Sequence, residues 1–130
     1  MLRNAMHANN DPGVCYYAGI DVGSVSLNCI VINHRMDVVY EFPYKRHFGK
    51  VEQEALSLIQ QLYKKFGQNQ LRSFSFTGNH GKKLSDTLNA FHEFDTISQV
   101  LGVLAIRPDA KTIIYLGGQT SSLFQINHND

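Results

Sequence analysis

At 130 residues, 43% hydrophobic and 18% charged, the chain has the length and apolar content of one folded domain and is not disordered. A formal charge of +1 gives no electrostatic case for nucleic acid, and Cys15 and Cys29 are too few for a disulfide scaffold and match no metal motif. No apolar run approaches ~18 residues and the first dozen residues lack a signal peptide's apolar core, so no membrane partner is expected and a cytoplasmic location is the default.

Residues 1–13 close on Asn9-Asn10-Asp11-Pro12-Gly13, a turn-rich cluster that predicts a flexible leader. Residues 15–22 read as a short apolar strand and 25–33 as a second, rich in β-branched residues. A hairpin about Gly23-Ser24 pairs Ala18 with Cys29 and Ile20 with Leu27, and sets Asp21 opposite Ser26. In that register Cys15 meets Ile32 and points away from Cys29, which disfavours a disulfide. Asn33-His34-Arg35 is a turn. Residues 36–46 alternate and are more polar, as in an edge strand, and Pro43 within them fits an edge. Residues 50–66 carry Val51, Ala55, Leu58, Ile59, Leu62, Tyr63 and Phe66 on one helical stripe, which Gly67 stops.

A further strand at 71–76 puts Phe74 and Phe76 on one face, and Thr77-Gly78-Asn79-His80-Gly81 is a loop. Residues 82–91 predict a second helix with Leu84, Leu88 and Phe91 aligned. Asp95 or Thr96 caps a third helix, striped by Ile97, Val100, Leu101 and Leu104 and ended by Pro108. Residues 111–116 read as a buried strand, and 121–126 open a final strand with no partner evident. The order predicts an α/β fold: a mixed five-stranded sheet, three antiparallel strands and then α/β units, with helices on both faces. The unpaired last strand predicts a chain cut from something longer, and an exposed edge that pairs with a second copy in a homodimer. No internal repeat or low-complexity segment is evident.

Two strand-turn-strand elements carry the chemistry. The first is Gly19-Ile20-Asp21-Val22-Gly23-Ser24 with Cys29-Ile30-Val31-Ile32, and the second is Thr112 to Gln119 with Gly117-Gly118 in its turn. A Gly-Ser turn exposes backbone N–H groups and a hydroxyl with no bulky side chain in the way, so phosphate oxygens can approach. Together the two elements suggest a nucleotide phosphate held between two hairpins.

With Thr77-Gly78 between them, these blocks make residues 15–127 resemble the first half of the acetate-and-sugar-kinase/Hsp70/actin superfamily, whose halves are ribonuclease-H-like. Within it the likeness is to the BadF/BadG/BcrA/BcrD-type ATPases, activators of 2-hydroxyacyl-CoA dehydratases and ATPase subunits of benzoyl-CoA reductase. The resemblance implies a leader at 1–13, a ribonuclease-H-like ATPase subdomain at 14–119 and, at 120–130, the first strand of a missing second half. It implies ATP or ADP with Mg²⁺ as cofactors, Asp21 holding Mg²⁺ through water, and Gly23, Ser24, Gly117 and Gly118 facing the phosphates. The partner it implies is a CoA-ester dehydratase or reductase, activated by electron transfer that ATP hydrolysis drives. A [4Fe-4S] cluster belongs to that family, but its cysteine ligands lie in the second half, and neither Cys15 nor Cys29 is placed to serve.

This sequence departs from the family where an Asp normally stands two residues before Gly-Gly: it has Tyr115. A second family Asp is here Thr120, and the residues after Thr77-Gly78 are Asn79-His80-Gly81-Lys82 instead of Tyr-Gly-Arg. A phenol, with a pKa of ~10, cannot replace a carboxylate as a ligand near neutral pH. One reading is therefore an ATPase half that is inactive alone. The alternatives are a degenerate, non-hydrolysing structural or partner-docking module of the same fold, or an actin-like or cell-division ATPase half. Elsewhere the residues read plainly: His34, His47, His80, His92 and His128 as surface residues, Lys45-Arg46 and Lys82-Lys83 as solvated faces, and both cysteines as small buried hydrophobes.

Overall fold

The computed structural model describes residues 13–127; the leader, apart from Gly13, lies outside them. In chain order the elements are β1 (Tyr16–Val22), β2 (Ser26–Asn33), β3 (Val38–Glu41), β4 (Lys45–Arg46), α1 (Val51–Phe66), β5 (Leu71–Thr77), α2 (Gly81–Leu88), β6 (Phe91–His92), α3 (Asp95–Ile106), β7 (Thr112–Leu116) and β8 (Ser121–Gln125). The main sheet runs β3-β2-β1-β5-β6, with the two-residue β4 pairing β2. β1, β2 and β3 are antiparallel neighbours, whereas β5 and β6 continue the sheet in parallel. This is the mixed α/β arrangement that the element order predicts, and its path has five strands.

The fifth strand is not the expected one. β6 takes the edge, and β7 pairs with β8 in a separate two-stranded antiparallel sheet. The last strand therefore has a partner, and β7 is no buried strand of the main sheet: of its residues only Ile113 is buried. Phe91 lies on β6, largely exposed, because α2 ends at Leu88 with Asn89 in the left-handed conformation at φ 50°. The polar third strand is also shorter than expected. It divides into β3 and β4 around Phe42-Pro43-Tyr44, since proline has no N–H to give to the ladder.

The core sits on one face of the sheet. Tyr16, Ala18, Ile20 and Val22 of β1 point into it with Leu27, Cys29 and Val31 of β2, each alternating with exposed or half-buried neighbours. α1 covers this face with the stripe read from its sequence, burying Ala55, Leu58, Ile59, Leu62 and Phe66. Its ends obey local rules: Glu52 and Glu54 occupy the first turn and Lys64 and Lys65 the last, matching the helix dipole, and Gly67 stops it at φ 81°. Phe66 closes the core's far end against Tyr16 (ring centroids 4.7 Å) and Tyr40 (5.9 Å). α2 adds Leu84 to the same core, while α3 borders the opposite face, where Ser98 and Leu101 line a groove with Gly19, Ile30 and Ser75. None of α3's apolar stripe is buried, contrary to expectation, and its N-cap is Phe94, with Asp95 already inside the helix. Among the described residues no helix is long and apolar enough to cross a membrane.

These two helices should respond differently to truncation. Leu58→Ala, at 1% exposure, is expected to cost about 2–5 kcal/mol through cavity formation. Ile106→Ala, at 80% exposure, should stay within about 0.5 kcal/mol of the parent, as read from urea unfolding midpoints.

Candidate functional site

The first hairpin closes later than its sequence suggests. Asp21 pairs with Asn28 and Val22 with Leu27, so Ala18 meets Val31 and Ile20 meets Cys29. The shift relative to the expected register is two residues, which leaves every side chain on its face. It makes the turn a four-residue loop, Gly23-Ser24-Val25-Ser26, closed by Gly23 N–H donating to Ser26 O at 3.0 Å. The second hairpin repeats this construction. Leu116 pairs with Ser121 around Gly117-Gly118-Gln119-Thr120, and Gly117 N–H donates to Thr120 O at 2.8 Å. Asp21 and Tyr115 thus hold equivalent places, each two residues before the first glycine of its turn.

The two turns face one another. A Cβ on Gly118 would stand 3.6 Å from Val25 Cγ2, ordinary contact, so the second turn rests beside the first. Between them lies a cleft of ≈ 220 Å³ lined by Asp21, Ser24, Asn28, Gly78, Asp95, Gln99, Tyr115 and Gly118, among others. A larger groove of ≈ 700 Å³ on the open sheet face is mainly apolar and holds neither turn. The smaller cleft is therefore the candidate site. It gathers Asp21, Gly23, Ser24 and Gly118 of the sequence-identified residues. Gly117 stands just behind, where Tyr115 folds over it: a Cβ there would lie 2.8 Å from the Tyr115 ring.

The Thr77-Gly78 loop reaches the site from β5. Gly78, at φ 85°, presses its backbone against the end of β1, so an added Cβ would strike Asp21 Oδ1 and stand 2.6 Å from Val22 O. Only glycine permits that approach. His80 N–H then donates to Val22 O at 3.0 Å, which fixes the loop to the strand.

Burial pushes the Asp21 carboxyl above the ordinary carboxylate range; a hydrogen bond from the Asn28 side chain pulls it back in part, and the Asp95 charge pushes it further up. Asp95 is the second carboxylate of the cleft, and sequence reading missed it by treating it as a helix cap. Nothing local marks it; only the return of the chain through β6 places α3's first turn beside β1. Gln99 Oε1, a neutral oxygen, lines the cleft with the pair, and Thr77 Oγ1 lies on the side of the larger groove; both are buried and have no hydrogen-bond partner among the described residues. Thr77 pairs directly with Asp21 across β1 and β5. No group of three or more His, Cys, Asp or Glu converges on a metal position among the described residues.

His47 departs most from its sequence reading. It is 4% exposed, not a surface residue, and its ring contacts the backbone of the first turn. Cys15 and Cys29 are both free. Cys29 is buried, which pushes its thiol up to about 12.

No protein-family model matches the chain, and no curated protein matches it. Solved structures that share its fold include two dehydratase proteins. Component A of the (R)-2-hydroxyglutaryl-CoA dehydratase of Acidaminococcus fermentans matches 87% of this chain at 19% identity and a TM-score of 0.74. The activator of the 2-hydroxyisocaproyl-CoA dehydratase of Clostridium difficile, solved with bound ADPNP, matches 86% at 22% identity and a TM-score of 0.68. The match takes in 43% of the first structure and 41% of the second, so this chain spans less than half the length of either.

Gly78→Ala should lower stability by about 1–3 kcal/mol from backbone strain alone, with the clash against Asp21 in addition, as measured by denaturant unfolding. Asp21 makes a second, pH-dependent prediction. Its carboxyl is raised in the folded chain, so ionising it opposes folding. Stability should fall as pH rises from the unfolded value near 3.8 through the raised folded value, and stay lower above it. Asp21→Asn removes that loss. In chelator-treated protein the variant should melt higher than the parent near neutral pH, with the gap closing as pH falls towards 3.8.

Proposed function

We propose that the cleft between the two turns binds the phosphates of an adenine nucleotide, ATP or ADP with Mg²⁺. On this reading the chain is the N-terminal half of an activase-like ATPase that serves a CoA-ester dehydratase or reductase. The observation that carries it is the pair of like-built glycine turns facing each other across a strand-end carboxylate. The fold shared with the dehydratase component A and with the dehydratase activator solved with ADPNP supports it.

Within the first turn, Gly23 N–H is already bonded to Ser26 O, so Gly23 serves by leaving room. The donors for phosphate are the Ser24 amide and hydroxyl at the tip, which make no hydrogen bond to the described residues. Gly117 and Gly118 form the opposite wall. The cleft's oxygens suit a hard cation: Asp21 and Asp95 would hold it, beside Gln99 Oε1, which lacks a partner among the described residues. Bound there, Mg²⁺ would neutralise phosphate charge. Few protein carboxylates suffice, because Mg²⁺ keeps several of its waters.

The chain does not fit a [4Fe-4S] cluster. Such clusters are held by four thiolates, whereas this sequence has two cysteines and burial pushes the Cys29 thiol up to about 12. Tyr115, where the first hairpin has Asp21, supplies no base or ligand to the second turn, so binding without turnover is the activity proposed for this half. The pairing of β7 with β8, apart from the main sheet, supports a division between halves before β7.

Calorimetry with ADP, with and without Mg²⁺, tests the proposal. Binding should require Mg²⁺ for full strength, and Asp21→Asn or Asp95→Asn should each weaken the Mg²⁺-dependent part about tenfold, ~1.4 kcal/mol. No heat at millimolar ADP would remove the nucleotide reading. Equal binding by parent and both variants would remove the carboxylate pair.

A further inference from the structure

We propose that His47 is a positioning residue for the first turn: its ring sets the direction of the Gly23–Ser24 peptide and so aims the Ser24 N–H into the cleft. The inference rests on the nucleotide reading for its purpose, but not for its geometry.

The tautomer follows from the two ring contacts. Gly49 N–H donates to Nδ1 at 3.1 Å, so Nδ1 carries a lone pair and no proton. The proton is on Nε2, which therefore donates to Gly23 O at 3.1 Å. His47 also donates its own N–H to Val25 O at 3.2 Å, and its carbonyl accepts from Lys50 N–H at 2.8 Å, where α1 begins. The ring is held edge-on to His80, with centroids 5.9 Å apart. His47 thus ties the turn to the helix that covers the core.

The consequence for the turn is directional. Val22 O accepts from His80, Gly23 O and Val25 O accept from His47, and Ser26 O accepts from Gly23. Four of the five carbonyls between Val22 and Ser26 are therefore drawn into bonds within the protein. A trans peptide points its C=O and its N–H in opposite directions. With Gly23 O held on the His47 ring, the Ser24 N–H points away from that ring, and Ser24 lines the cleft. Glycine at 23 offers little resistance to a peptide flip, which would turn a carbonyl towards incoming phosphate oxygens. The Nε2–H bond opposes that flip.

The segment carrying His47 is built under constraint. Phe48, 80% exposed, sits at φ 48°, a left-handed conformation that a non-glycine residue keeps when surrounding bonds impose it, and Gly49 follows at φ 81°. The Gly49 N–H bond to Nδ1 is one of those bonds, so the ring closes its own loop on one side and reaches the turn with the other.

Two isosteres separate the two contacts. The Gln amide nitrogen reaches the place of Nε2, whereas Asn Oδ1 takes the place of Nδ1. His47→Gln should keep the Gly23 bond and His47→Asn should lose it while keeping the Gly49 bond. Carbonyl and amide resonances of Gly23 and Ser24 in the nucleotide-free chain are expected to shift in the Asn variant and stay near the parent in the Gln variant. ADP affinity with Mg²⁺ should fall up to about tenfold in the Asn variant and stay within about twofold in the Gln variant. If both variants show the same turn resonances, the proposal fails. Should the parent bind no ADP while the resonances still split, the positioning role stands and the nucleotide reading falls. Where a variant does not fold, the nitrogen shifts of the parent imidazole decide: a proton on Nδ1 overturns the proposal, and one on Nε2 supports it.

Discussion

Strand β1 cannot slip without losing core and cleft together. It lies between β2 and β5 and alternates along its length: Tyr16, Ala18, Ile20 and Val22 fill the core, and Asp21 emerges on the other face at the last step before the turn. A one-residue slip would expose that apolar set and drive the carboxylate inwards. Hydrophobic burial of those four side chains thereby fixes where a polar group stands. The same strand end receives Gly78, whose backbone comes so close that a side chain there would collide with Asp21. Position in the cleft is thus set by packing beneath it and by backbone beside it, with no loop free to wander.

Such a layout divides what can be read in the sequence from what cannot. α1 was legible because its seven-residue stripe, its charged ends and Gly67 are all local signals, and each is present in the structure. β1 and β2 were legible for the same reason, and even a wrong register kept their faces, since the error was two residues. β6 was not legible: two residues cannot show a period, and Phe91 fell on the extended stripe of the preceding helix. β7 misled in the opposite way, because an apolar run such as Thr112–Leu116 has the same pattern in a central strand as in a hairpin standing apart. Asp95 and His47 belong to the site through contacts made across the fold, and neither carries a spacing that could have announced it.

Apolar surface is distributed unevenly over the elements. α1 buries its stripe, whereas Ile97, Leu101 and Ile106 of α3 and Ile114, Leu116 and Leu123 of the β7–β8 hairpin are exposed. The groove beside α3 adds Gly19, Ile30 and Phe91 from the uncovered sheet face. These exposed apolar side chains leave this side of the fold uncovered. It flanks the cleft on the side of the second turn, while the side of the first turn is built on the core.

The cleft is also where the fold opposes itself electrostatically. Asp21 is desolvated and faces a second carboxylate, and both effects raise the free energy of its charged form. Gln99 Oε1 adds a buried acceptor with no partner among the described residues. Each of these features is unfavourable in the chain alone. A hydrophobic replacement at any of these positions would relieve that cost. Tyr115 shows what such a replacement looks like at the second turn: its ring folds over Gly117 and stands where the first hairpin has a carboxylate.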